Sequence, residues 1–287
     1  MGILEVDGFS FRYRSQQDDW ALRDVSLEVP SGEFLGIVGR TGAGKSTLLS
    51  AMCGIIPHHQ SGELTGEIRV NDTPVPDYGS LYNLAPTISM VRQDPDTQLF
   101  NLHVFDEVIW GLENLGPELG LDADEIRRRG QHAIETFGLQ GYEDKITYNL
   151  SGGEKQKVAI ASVYAMDLDV LLLDEPTSQL DPIGTEMVFQ AIDRLVEEGM
   201  TIVMVEHKVE ELVRYADRIA LLEDGRLDRI EDPRSFFIDT SGGYAPPQVT
   251  ELGLRLVEDG LDLEVPLTLE EAVSVFEPLQ AGEVDLD

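Results

Sequence analysis

The chain has 287 residues, 42% of them hydrophobic, and carries 54 acidic side chains against 21 basic ones for a net charge of −33. That length and apolar content suit a globular protein with one large core and a smaller lobe, which needs no disulfide or metal staple to fold. The charge repels phosphate backbones and counts against nucleic acid as a partner. In chain order, strands are predicted over residues 3–13, 25–29 and 33–38, the last a nearly continuous apolar run, EFLGIV, as a buried strand requires. A helix follows from 47 to 53, then strands over 67–70 and 87–91 between turn residues. From about 94 to 164 the pattern is helical, with helices predicted over 104–115 and 123–137. Strand character returns at 170–174, 201–205 and 218–222, with helices over 184–198 and 209–216 between them. Short apolar strands alternating with helices predict an α/β fold whose parallel sheet is covered on both faces, the helical stretch being an inserted lobe. After Ile230 the chain reads as loop, and two acidic helices are expected over 248–258 and 268–276.

No apolar run approaches the roughly 18–20 residues of a membrane span. No basic segment followed by an apolar one opens the sequence, and Val6 breaks the pattern that would acylate Gly2. The lone cysteine, Cys53, lies in an apolar helical stretch and reads as a core residue in a reducing compartment. The expectation is a soluble, cytoplasmic chain. Its acids are spread along the whole sequence instead of forming a tail. Such charge repels itself at low ionic strength and is screened by multimolar salt, so a salt-adapted, archaeal cytoplasm is expected.

Two segments carry chemistry. Gly39-Arg40-Thr41-Gly42-Ala43-Gly44-Lys45-Ser46 matches G-x-x-x-x-G-K-[ST] and lies between a strand and a helix. Its glycines let backbone N–H groups turn toward nucleotide phosphates, and the helix N-terminus adds partial positive charge. Lys45 would reach the β- and γ-phosphates, and the Ser46 hydroxyl would ligate Mg²⁺. Val170-Leu171-Leu172-Leu173-Asp174-Glu175 is an apolar strand ending in two carboxylates. The first would hold Mg²⁺ through water, and the second could accept a proton from an attacking water.

With Leu150-Ser151-Gly152-Gly153-Glu154-Lys155-Gln156 upstream, Pro176-Thr177-Ser178-Gln179-Leu180-Asp181 downstream and His207 after TIVMVE, residues 1 to about 232 resemble the nucleotide-binding subunit of the ABC (ATP-binding cassette) family. The resemblance implies a P-loop NTPase (RecA-like) parallel core sheet, an antiparallel β subdomain and an α-helical subdomain inserted at about 94–164. Residues 233–287 would be a short acidic extension. It implies ATP and Mg²⁺ as cofactors, with Gly39 through Thr47 around the phosphates. Tyr13, or alternatively Phe11, would stack on adenine. Gln93 is the Q-loop glutamine near Mg²⁺ and the attacking water, Glu175 the catalytic carboxylate and His207 the switch histidine at the γ-phosphate. Ser151, Gly152 and Gly153 form the signature that meets the γ-phosphate held by a second cassette, and Asp181 is the D-loop acid at the seam. The metal set is Ser46, Gln93 and Asp174. Glu154, Lys157 and Gln179 depart from the common pattern without touching these groups.

Val91-Arg92-Gln93-Asp94-Pro95-Asp96-Thr97-Gln98-Leu99-Phe100 resembles the QNPDxQLF stretch of energy-coupling-factor ATPases, which drive vitamin and transition-metal uptake. Gly54-Ile55-Ile56-Pro57-His58-His59 and the 104–115 segment resemble the same subgroup, with His58 and His59 as plain loop residues. An ordinary importer ATPase stays open as the alternative. The implied partners are a second ABC ATPase domain, identical, different or fused in a longer chain, and a transmembrane subunit docking near the Q-loop. The implied place is the cytoplasmic face of the membrane. Translation-factor relatives carry two cassettes and a basic surface, and chromosome-maintenance ATPases a long coiled coil between the motifs; neither pattern fits.

Overall fold

A computed structural model describes residues 2–14, 19–238 and 244–280. Its strands are β1 (Leu4–Tyr13), β2 (Leu22–Val29), β3 (Phe34–Val38), β4 (Gly62–Val70), β5 (Thr73–Pro74), β6 (Ile88–Val91), β7 (Val170–Asp174), β8 (Thr201–Val205), β9 (Arg218–Glu223) and β10 (Arg226–Glu231). The helices are α1 (Lys45–Met52), α2 (Ile55–His58), α3 (Leu81–Leu84), α4 (Val104–Leu119), α5 (Ala123–Thr136), α6 (Gly152–Tyr164), α7 (Pro182–Glu197), α8 (Val209–Tyr215), α9 (Pro233–Ile238), α10 (Gln248–Glu258) and α11 (Leu269–Gln280).

Two sheets share the work. One is antiparallel, in the order β2-β1-β4-β5; the other runs β10-β9-β3-β8-β7-β6. Within the second sheet β6, β7, β8, β3 and β9 pair in parallel, and β10 closes the edge antiparallel to β9. The strand pleat decides how the two cores form, because alternate side chains point to opposite faces. Val170 and Leu172 of β7, with Val203 and Val205 of β8, join the antiparallel sheet and α1 in one core. Leu171 and Leu173, with Ile202 and Met204, face the other core beneath α6 and α7. Each of these leucines is fully buried, and burying one stabilises the fold by about 1.5–3 kcal/mol. This two-sided burial is why the strands read as unbroken apolar runs.

The helical lobe starts where local polar groups allow. Asp122 caps α5 by accepting the Glu125 N–H, and α4 ends at Gly120, whose φ of 68° is the left-handed value that suits glycine. Ser151 caps α6 in a reciprocal capping box with Glu154. The core continues past residue 232. Phe236 and Phe237 of α9 are buried at 1% and 2% exposure in the same core as α6 and α7, packed edge to face with centroids 4.8 Å apart. Arg229 lies over the Phe236 ring at 4.5 Å. Truncating either ring in such a core typically costs about 3–5 kcal/mol. The stretch after Ile230 therefore does not run on as loop: its paired phenylalanines are core residues on a one-and-a-half-turn helix. Among the described residues, no helix is long and apolar enough to cross a membrane.

Candidate nucleotide-binding site

The chemistry-bearing residues gather where β3, β7 and β8 end. The loop after β3 turns on glycines with φ of 154° (Gly39), 84° (Gly42) and 103° (Gly44), which side-chain-bearing residues rarely adopt. A Cβ on Gly39 would also lie 2.2 Å from the Leu222 carbonyl oxygen, and one on Gly44 2.5 Å from that of Ala21. The loop delivers Lys45 at the start of α1, 5% exposed, with its Nζ donating to the carbonyls of Gly39 (2.8 Å) and Arg40 (3.2 Å). Burial pushes the Lys45 ammonium below its ordinary pKa, against the opposing pull of Glu175 and Asp174.

Ser46 Oγ donates to Asp174 Oδ1 at 3.1 Å, joining two residues 128 positions apart. Burial holds the Asp174 carboxyl above its usual pKa; the Ser46 bond lowers it, and the neighbouring Glu175 adds to the rise. Glu175 turns out of β7 with φ of 49°, and its N–H donates to the Val205 carbonyl at 2.9 Å. His207, two residues past the end of β8, brings its Nε2 within 2.9 Å of Glu175 Oε1. An ionised carboxylate only accepts, so that nitrogen carries the proton.

Lys45, Ser46, Glu175 and His207 open onto a cavity of about 840 Å³ that is also lined by Tyr13, Trp20, Thr41, Gly42, Gly44, Thr47 and Gln93, while Asp174 reaches it only through Ser46. The volume is that of a site for a molecule of nucleotide size. Tyr13 is the aromatic on the wall, its hydroxyl 2.8 Å from Thr47 Oγ1. Phe11 is 0% exposed and packs edge-on behind Tyr13 at 4.9 Å, so it offers no face to a ligand. Gly39, Arg40 and Ala43 do not line the cavity. Trp20 was not legible beforehand: it precedes β2 in a stretch without strand or helix pattern, and Arg12 lies over its ring at 5.2 Å.

Ser151, Gly152, Gly153 and Asp181 do not line this cavity. They occupy the starts of α6 and α7 instead. Ser151 Oγ is held by Glu154 Oε2 at 2.9 Å, and Asp181 Oδ1 accepts the Gly184 N–H at 2.7 Å. Gly153 lets the two helices touch, since a Cβ there would fall 2.5 Å from the Gly184 Cα. Gln93 stands on a loop stapled at its base. Gln98 bonds the Arg92 backbone in both directions (3.1 and 3.3 Å), and the buried Gln156 of α6 donates to the Arg92 carbonyl at 3.2 Å. Glu206, a buried carboxylate between β8 and His207, also belongs to this region, and no motif in the sequence sets it apart.

A backbone nest, a buried lysine, a hydroxyl–carboxylate pair and a second carboxylate against a histidine are the groups that a polyphosphate site with hydrolytic chemistry at one end would need. Comparison with known proteins agrees: the family model described as ABC transporter matches residues 22–178. The chain belongs to the ABC transporter family. The cassette is 36% identical over 279 residues to the energy-coupling factor transporter ATP-binding protein EcfA1 of Caldanaerobacter subterraneus, covering 94% of this chain and 97% of that one. Among solved structures it is similar to CbiO1 of Clostridium perfringens, described as part of the ABC transporter complex CbiONQ. There the TM-score is 0.74 at 32% identity, over 90% of this chain and 97% of the other. It is also similar to the cassette MJ0796, solved as a dimer with ADP and phosphate, with a TM-score of 0.68 at 26% identity over 80% and 98% of the two chains. The cassette is thus an ATP-binding and ATP-hydrolysing enzyme of the ABC class.

Lys45→Met is expected to weaken ATP binding by about 10- to 100-fold, because a charge-assisted hydrogen bond to phosphate contributes roughly 1.5–3 kcal/mol. Titration with a fluorescent ATP analogue checks this, and unchanged affinity would remove Lys45 from the phosphate contact.

Proposed function

We propose that the cassette powers an energy-coupling-factor-type importer of a transition metal ion or vitamin, as one of two ATPase domains on the cytoplasmic face of a membrane. The observation that carries this reading is an apolar surface beside the Q-loop. Phe100 (53% exposed) meets Trp110 edge-on at 4.5 Å, and Leu102, Ile146 and Tyr148 continue the patch through the Thr147 N–H bond to the Leu102 carbonyl. On so acidic a chain, an exposed aromatic and aliphatic cluster fits an amphipathic partner helix, here one from the transmembrane subunit. EcfA1, named for an energy-coupling factor transporter, and CbiO1, described as part of an ABC transporter complex, support the same reading.

In this reading Tyr13 stacks on adenine, the loop from Gly39 to Thr47 and Lys45 hold the phosphates, and Gln93 senses the γ-phosphate end. Ser46 and Asp174 present the oxygen donors that a hard cation prefers, so they would hold Mg²⁺, with Gln93 nearby. The ion would neutralise charge on the phosphates. Glu175 takes a proton from the water that attacks the γ-phosphorus as the bond to ADP breaks, while His207 contacts the γ-phosphate. Because Ser151, Gly152, Gly153 and Asp181 lie off the cavity, the site is completed by the signature of a second cassette; MJ0796, solved as a dimer bound to ADP and phosphate, supports a paired cassette. The net charge further suits a salt-rich cytoplasm.

The test is affinity purification from native membranes in mild detergent at multimolar salt, with the partners identified by mass spectrometry. Recovery of a shared transmembrane subunit and a small integral substrate-binding protein is expected. A conventional permease with an extracytoplasmic binding protein would move the cassette to the ordinary importers, and no membrane partner at all would refute the transport reading.

A further inference from the structure

Glu206 stands one residue ahead of His207 and is 1% exposed. Its Oε1 accepts the backbone N–H groups of His207 at 2.7 Å and Lys208 at 3.1 Å. Its Oε2 accepts the hydroxyl of Thr177 at 2.7 Å, and Thr177 is itself fully buried. Thr177 lies two residues after Glu175. The contacts therefore close a ring: Glu175 through Pro176 to Thr177, across to Glu206, on to His207, and back through the imidazole to Glu175 at 2.9 Å. The Glu175 N–H bond to Val205 ties the same two turns together from the backbone side.

A carboxylate in such a place is costly to desolvate unless donors surround it. All three of these donors are neutral, and they come from two turns only: the one that carries Glu175 and the one that carries His207. Strand pairing runs out here, since β7 ends at Asp174 and β8 at Val205. One backbone bond, from the Glu175 N–H to the Val205 carbonyl, still spans the two turns, and the ties beyond it run through side chains.

We infer that Glu206 is a positioning residue for ATP hydrolysis, holding the His207 turn against the Glu175 turn so that imidazole and carboxylate keep their mutual reach. This rests on the assignment of Glu175 and His207 to the reaction. Glu206 touches no nucleotide; it acts through the two turns, and displacement by about 1 Å at such a centre costs up to roughly 100-fold in rate.

The experiment compares Glu206→Ala, Glu206→Gln and His207→Ala in steady-state ATP hydrolysis. Glu206→Ala is expected to lower kcat by about 10- to 100-fold with KM for ATP within about twofold, a loss confined to the chemical step. Glu206→Gln is expected to stay within about threefold of wild type: its amide oxygen still accepts both N–H groups, and its amide nitrogen can donate to the Thr177 hydroxyl. Wild-type kcat in Glu206→Ala beside a slow His207→Ala overturns the inference alone. Wild-type turnover in His207→Ala overturns the assignment beneath it. A Glu206→Gln enzyme as slow as the alanine variant, or a KM that rises as kcat falls, would likewise overturn it. If Glu206→Ala fails to fold, Thr177→Val carries the test. A kcat lower by about 3- to 10-fold at unchanged KM supports the inference, and an unchanged kcat overturns it.

Discussion

Glu175→Gln is expected to bind ATP with wild-type affinity and to hydrolyse it about 100- to 10,000-fold more slowly, the range a positioned general base supplies. The substitution is nearly isosteric, and the amide oxygen can still accept from His207 Nε2, which lies 2.9 Å from the present carboxylate oxygen. What is lost is basicity: an amide does not take a proton from water near neutral pH. The φ of 49° at Glu175 is a property of the turn and is equally open to glutamine, so the backbone should not move. Nucleotide titration together with phosphate release under steady-state conditions decides the matter. Turnover like that of wild type would remove Glu175 from the role of base. Because the proposed site is shared between two cassettes, the slow variant should also accumulate as an ATP-bound dimer, visible as a doubling of mass in light scattering.

Raising KCl from 0.1 to 3 M is expected to lift the thermal unfolding midpoint by about 10 °C or more, a gain of roughly 6 kcal/mol or more for a chain of this size. The reason is self-repulsion. With 54 acids against 21 bases, bringing the chain into a compact shape concentrates negative charge, and a Debye length of about 10 Å at 0.1 M leaves neighbouring surface charges coupled. At 1 M and above that length is about 3 Å, shorter than most separations between surface side chains. The exposed pairs, such as Arg255 with Glu251 and Arg23 with Asp19, contribute little in opposition and weaken as salt rises. Salt also strengthens apolar burial, so sucrose, which does that without screening, is the control. A midpoint flat in KCl, or one that sucrose raises equally, would sink the account.

Most of the elements were legible because both faces of the central strands are buried. Val170–Asp174 and Thr201–Val205 read as uninterrupted apolar runs and stand where expected. Elements on the rim were not. β10, RLDRIE, is a charged edge strand with one half-buried face and shows no apolar run. The start of β4, GELTG, is mostly exposed, and its pairing with Arg12 and Tyr13 comes from the partner strand. α4 runs on to Leu119 through Gly116 and Pro117, which read as a stop; packing against α5 and α6 outweighs local propensity there. Phe236 and Phe237 looked like part of a loop because two adjacent aromatics carry no periodicity. Only their burial against the α6–α7 core gives them a role.

The candidate site divides in the same way. The phosphate loop was determined by the sequence alone, because its geometry is local: glycines that tolerate positive φ, then a helix start that presents N–H groups, Lys45 and Ser46. The acidic pair at the end of β7 was equally local. Only the tertiary structure decided which of Phe11 and Tyr13 faces the cavity, since strand alternation permits either until the core is assembled. It also decided that Ser46 meets Asp174 and that His207 meets Glu175. Those distances follow from the sheet order β3-β8-β7, which sets the ends of three strands distant in sequence side by side. Glu206 belongs wholly to this second class: beside His207 in the chain it looks like one more acid among 54, and burial with its three donors makes it distinct.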